Sequence, residues 1–142
     1  MQGVYYMNEA AFELPALAIT DTTVTSLDAL SPSGEPLGIR VHRMPLPPGK
    51  SLREIVADHV EEAKRSLPSY GLEWQRDIEV AGVPAIGIAA RWRGDESMNY
   101  TRHAHLAVQG LWLIVSVNGA LGDIAAVDAC IDHVLGTLRF AR

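Results

Sequence analysis

Between Leu72 and Val117 the chain reads as four β segments in succession, each closed by its own turn signal, and this pattern limits the fold more than any other feature. In the first segment Leu72, Trp74, Ile78 and Val80 fall on one face, while Glu73, Gln75, Asp77 and Glu79 fall on the other. That alternation predicts an antiparallel strand with one wet face. Ala81-Gly82 supplies a tight turn, and Val83 to Arg93 returns with Ile86, Ile88, Ala90 and Trp92 in phase. Gly94-Asp95-Glu96-Ser97 leads into a third strand, Met98 to Val108, and Gln109-Gly110 separates it from a fourth, Leu111 to Val117, after which Asn118-Gly119 reads as another turn. Strands joined by connections this short pair antiparallel with their sequence neighbours, so a four-stranded meander is the expected body of the sheet.

Before the meander, Thr20 to Leu30 and Leu37 to Met44 read as a hairpin around Ser31-Pro32-Ser33-Gly34, and Pro45, Pro47, Pro48 and Gly49 end it. Ser51-Leu52-Arg53-Glu54 has capping-box spacing. The helix it starts carries an apolar stripe of Leu52, Ile55, Val56, Val60, Ala63 and Leu67, and Pro68 stops it. A second helix is expected near Asp123 to Leu135, with Ile124, Val127, Ile131, Val134 and Leu135 inward and Gly136 as its stop. Leu138-Arg139-Phe140 reads as a short closing strand. The whole, residues 1–142, is one α+β domain in which an antiparallel sheet is backed by two main helices.

Composition removes several function classes. Twelve Lys plus Arg stand against seventeen Asp plus Glu, a net charge of −5, with no basic run to follow a phosphate backbone. Nucleic acid is not an expected partner. Hydrophobic residues make up 48% and charged residues 20%, which excludes disorder. The N-terminus lacks the basic, apolar and small-residue regions of a signal peptide, and the uncharged stretch from Ala104 to Gly122 is broken by His105, Gln109, Ser116 and Asn118. A cytoplasmic chain that is not membrane-embedded is expected. Cys130, the single cysteine, falls within the second helical pattern and reads as a small core residue.

Chemistry-bearing motifs are scarce. G-x-S-x-G, G-x-x-x-x-G-K-[ST], G-x-G-x-x-G and H-E-x-x-H are all absent from the sequence, so neither an enzyme nor a cofactor is expected. His103 and His105, two apart on a strand, share a face, and His42 or His59 could add a third metal ligand. No Cys or Glu accompanies them at ligand spacing, and half-exposed strands carry such polar pairs routinely, so ordinary strand histidines are the expectation. Asp77 and Glu79 extend the row of Glu73 and Gln75 and read as a solvated face, with Arg91 and Arg93 placed to pair across to it. Trp74, Trp92 and Trp112 read as core, with an open groove for a hydrophobic ligand or helix as the alternative.

Several strings, taken in order, resemble the DcrB-related family and, within it, the Eag chaperones of type VI secretion effectors. They are Tyr5, Asn8-Glu9, Leu14-Pro15, Asp21-Thr22-Thr23-Val24, Leu67-Pro68-Ser69-Tyr70, Asp77-Ile78-Glu79-Val80-Ala81-Gly82, Arg91-Trp92-Arg93, Arg102-His103 and Leu138-Arg139-Phe140. The resemblance implies a fold like that of the photosystem subunit PsbP, a curved antiparallel sheet with helices, paired as a homodimer. It also implies a partner: the hydrophobic N-terminal transmembrane segment of an effector carrying a PAAR domain, of the Rhs type among others, shielded until it is loaded on the secretion spike protein.

The family's apolar groove pair matches Val24 and Ser26, and its two groove glutamines match His59 and His103. Ser26 is polar where the family has an aliphatic residue, and both glutamines are histidines here. If those histidines line the groove, partner binding is expected to weaken between pH 8 and pH 5.5. The rival reading is a small-molecule or metal-binding protein built on His42, His103 and His105.

Overall fold

The computed structural model describes residues 4–6, 11–18, 20 and 22–140. Asn8-Glu9 and Asp21, part of the strings quoted above, lie outside them. A two-stranded sheet of β1 (Val4–Tyr6) and β2 (Ala11–Glu13) comes first. The main sheet then takes β3 (Val24–Leu30), β4 (Pro36–Pro45), β5 (Gly71–Val80), β6 (Val83–Arg93), β7 (Met98–Val108) and β8 (Leu111–Ala120). Its order is β3-β4-β8-β7-β6-β5, antiparallel throughout. The meander is as expected from the sequence, and the earlier hairpin joins it by pairing β4 with the last strand.

Two connections hold the register. Ala81 and Gly82 take φ of 50° and 80°, and Gln109 and Gly110 take 52° and 78°. Two consecutive positive φ angles make the two-residue turn whose twist matches that of the strands it joins. Glycine at the second position relieves half the cost, and the register of β5 with β6 and of β7 with β8 follows.

Helix α1 (Leu52–Ser66) begins with the predicted box: the Glu54 amide donates to Ser51 Oγ at 3.2 Å, and the Ser51 amide donates to Glu54 Oε1 at 3.1 Å. Its Val56 and Val60 pack on Ile86, Ile88 and Ala90 of β6. Helix α2 (Ile124–Thr137) follows a 3-10 turn at Leu121–Asp123, and its Val127 and Ile131 pack on Leu37, Ala89, Tyr100 and Val117. Ile88 and Ala89 are consecutive on one strand and so face opposite ways, which puts α1 and α2 on opposite faces of the sheet. The sheet is a middle layer, and β6 is buried on both sides.

Five local expectations from the sequence differ from the structure. Asn118-Gly119 is no turn but the continuation of β8, where a Cβ on Gly119 would meet Val127 Cγ2 at 2.6 Å and Leu37 Cδ2 at 2.9 Å. Glycine is required there by the approach of α2, not by a bend. Gly136 lies inside α2, and Leu138 and Phe140 pack in the core beyond the helix instead of forming a strand. The pairing of β5 with β6 shifts between Leu72 and Trp74, so Leu72 pairs with Ala90 while Trp74 pairs with Ala89. A bulge at Glu73 therefore turns Leu72 to the face opposite Trp74, and Leu72 is exposed. The strand predicted from Thr20 begins at Val24.

On the α2 face, Arg102 donates to Asp128 at 2.9 Å and to Asp132 at 3.4 Å. The Tyr100 hydroxyl also donates to Asp128 at 2.9 Å. Burial first, then this bond and the Asp128 charge, push the Tyr100 phenol up to about 12. Trp74 is half-buried, with the guanidinium groups of Arg76 and Arg102 over its ring, 4.1 and 4.7 Å from the centroid. Across β5 and β6, Arg91 pairs with Glu73 as the charge pattern predicts. Asp77 is held instead by Arg53 of α1. Cys130 is half-buried against the α2 core, where burial raises its thiol pKa.

Candidate functional site: a histidine-lined groove

Directly opposed residues on neighbouring strands share a face, so the register reads out rows across the α1 side of the sheet. One row runs Val24, His42, Ile114, His105, Ile86 and the next runs Ser26, Arg40, Ser116, His103, Ile88. Helix α1 covers the end of these rows on β6 and leaves the end on β3, β4 and β8 uncovered. A cavity of about 280 Å³ lies there, lined by Arg40, His42, Met44, His59, His103, Trp112, Ile114, Ser116 and Asn118. A second cavity of about 250 Å³ adjoins it through His59, His103 and Asn118 and runs under the C-terminal turns of α1, where Glu62, Tyr70 and Trp92 complete the wall. Together they make a groove along the flank of α1.

Val24, Ser26, His59 and His103, the groove positions implied by the family resemblance, thus all belong to one side of the sheet. His59 and His103 line both cavities, whereas Ser26 and Val24 line neither and are the cross-strand neighbours of Arg40 and His42, which line the first. Trp112 lines the groove, the alternative to its core reading, while no groove role is read from the sequence for Met44 or Asn118. The two-residue turn at Gln109-Gly110 was a signal for them, because it fixes Ser116 opposite His103 and Ile114 opposite His105.

The histidines converge unevenly. Ligating nitrogens of His59, His103 and His105 lie within 4.8 Å of one another, whereas the set His42, His103 and His105 considered from sequence does not form such a group; His42 lines the far wall. Ring centroids are 5.1 Å apart for His59 and His105 and 5.8 Å apart for His59 and His103. His105 is fully buried, and its Nδ1 accepts from Trp112 Nε1–H at 3.1 Å, which places the ring proton on Nε2. At His103, Thr101 gives its hydroxyl proton to Asn118 Oδ1, so Thr101 Oγ1 accepts from His103 Nε2–H at 3.3 Å and Nδ1 keeps a bare lone pair. His103 Nδ1 and His105 Nε2 are both shut off from solvent with no hydrogen-bond partner among the described residues, a cost of about 1–3 kcal/mol each.

Burial, with the neighbouring imidazoles, lowers all three rings: His59 below its ordinary range, His103 to about 4 and His105 to about 2. Burial, and after it the neighbouring His59 and His42, thus place the His103 titration below the pH 8 to 5.5 window expected from the sequence. Glu62 is the one acid in the wall of the second cavity.

In structure the chain is similar to PA94, a Pseudomonas aeruginosa protein of unknown function, with a TM-score of 0.87 at 18% identity over 99% of this chain and 98% of that one. It is also similar to LpqN of Mycobacterium tuberculosis, a protein involved in cell envelope biogenesis, with a TM-score of 0.59 at 10% identity over 78% of this chain and 67% of LpqN. A third likeness is to cyanobacterial PsbP from Synechocystis, with a TM-score of 0.51 at 14% identity, covering 94% of this chain and 88% of the other. These establish the PsbP-like fold. No curated protein matches in sequence. Among the described residues no helix is long and apolar enough to cross a membrane. The DcrB family model matches residues 9–128, nearly the whole length over which the sheet, both helices' packing faces and the groove are built, and the chain belongs to the DcrB family.

Proposed function

We propose that this protein is a cytoplasmic, non-enzymatic chaperone that holds the hydrophobic N-terminal transmembrane segment of a PAAR-containing type VI secretion effector and works as a homodimer. Family membership supports the protein-interaction part of this reading. The observation that carries the reading is the uncovered half of the α1 face, an apolar groove with a few polar groups at its centre.

A membrane helix stranded in water exposes apolar surface at about 25 cal/mol per Å². A groove walled by Met44, Trp112 and Ile114 removes that area from water, while Arg40, Ser116 and Asn118 offer partners to the occasional polar group of the segment. Val24, 49% exposed on the edge strand, extends the apolar wall outward. Co-expression with a candidate effector's N-terminal segment tests this. The segment should be recovered only when the chain is present and should co-purify with it. A segment that stays soluble alone and ignores the chain would contradict the reading.

A further inference from the structure

We propose that the groove contains a transition-metal site, with His59 of α1 and His103 and His105 of β7 as ligands, zinc as the best-fitting ion, and the fourth position open to the cavity. Three imidazoles from two elements converge with ligating nitrogens within 4.8 Å. Tetrahedral zinc, with bonds of about 2.0–2.1 Å, needs its nitrogens about 3.4 Å apart, a closure that small side-chain rotations supply.

Two features of the cluster point to an ion. His103 Nδ1 is a buried lone pair with no partner among the described residues, and its ring is oriented by the Nε2–H bond to Thr101, the outer-shell bond that metal-ligating histidines commonly make. His105 Nε2, on a residue with no exposure at all, likewise has no partner among the described residues. The donor set is neutral and all nitrogen, with neither carboxylate nor thiolate in the main cavity, which suits zinc, cobalt or nickel and disfavours magnesium or calcium.

Trp112 opposes binding. Its N–H to His105 Nδ1 keeps the ring proton on Nε2. For Nε2 to ligate, that proton must move to Nδ1, and the indole N–H loses its acceptor. No net proton is released from the neutral ring, and Trp112 becomes a reporter of occupancy.

The chain alone, untagged and stripped with a chelator, is titrated with zinc by calorimetry and with cobalt by visible absorption. One ion per chain is expected, with the d–d bands of a four-coordinate cobalt and a change in tryptophan emission. His59→Gln and His103→Gln should each weaken binding at least about tenfold, with circular dichroism confirming that they fold. Trp112→Phe should tighten binding about three- to tenfold, because the competing hydrogen bond is gone. His133→Gln, on exposed α2 surface, should change nothing. Failure to bind one ion per chain, or affinity indifferent to both His59→Gln and His103→Gln, would overturn the site, leaving a water between His105 and His103 as the cluster's occupant. No effector segment takes part, so the outcome is independent of the chaperone reading.

Discussion

Replacing His103 by Gln should make the protein measurably more resistant to acid. The His103 ring titrates near 4 in the folded chain against about 6.5 unfolded, because burial and the neighbouring His59 and His42 disfavour its charged form. A lowered histidine means that below pH 6.5 the unfolded chain takes a proton the native chain refuses. Stability therefore falls as pH drops from 6.5 toward 4 and is unaffected by this group above that range. At pH 4.5 the unfolded chain has gained about two pH units' worth of proton binding at 1.36 kcal/mol each, offset slightly by partial protonation of the native ring, so His103 costs about 2–3 kcal/mol. Glutamine carries no such term. Urea unfolding of wild type and His103→Gln at pH 7.5 and 4.5, with chelator present, isolates it, because every other titrating group is common to both. Between the two pH values wild type should lose about 2–3 kcal/mol more than the variant, about 1–2 M in urea midpoint. Equal losses in both proteins would refute the buried, uncompensated ring.

Three further outcomes follow from packing and capping. Gly119→Ala should destabilise by about 1–3 kcal/mol in thermal unfolding, since its Cβ collides with Val127 and Leu37. Ser51→Ala, which removes the hydroxyl half of the capping box, should cost about 1 kcal/mol by the same assay. Asp128→Ala leaves the largely enclosed Arg102 and the Tyr100 hydroxyl without their shared acceptor, and should cost about 2–4 kcal/mol and bring the Tyr100 phenol down from about 12 in a spectrophotometric titration.

Legibility from sequence was uneven for physical reasons. The meander was readable because alternation and two-residue turns are local, and the capping box because it spans four positions. The bulge at Glu73 was not, since a one-residue insertion looks the same as continued alternation until the partner strand is present. Gly119 reads as a turn glycine in the sequence because what requires it, the close approach of helix α2, arrives only in the tertiary fold. Three-residue strands such as β1 and β2 carry too little pattern to be seen. Of the histidine cluster, His103 and His105 were paired correctly by strand period. His59 was offered only as one of two possible third members, because choosing it over His42 depends on how α1 lies over the sheet.

Val24 and Leu27 provide the most direct measurement of where a partner binds. Both are exposed on β3, 49% and 54%, so neither is needed for the core, yet Val24 pairs with His42 on the groove side and Leu27 with Ile39 on the α2 side. Co-purification of a candidate effector's N-terminal segment with wild type, Val24→Asp and Leu27→Asp compares the two faces directly. The groove account predicts that Val24→Asp loses the segment and Leu27→Asp keeps it. Retention by Val24→Asp together with loss by Leu27→Asp would contradict it.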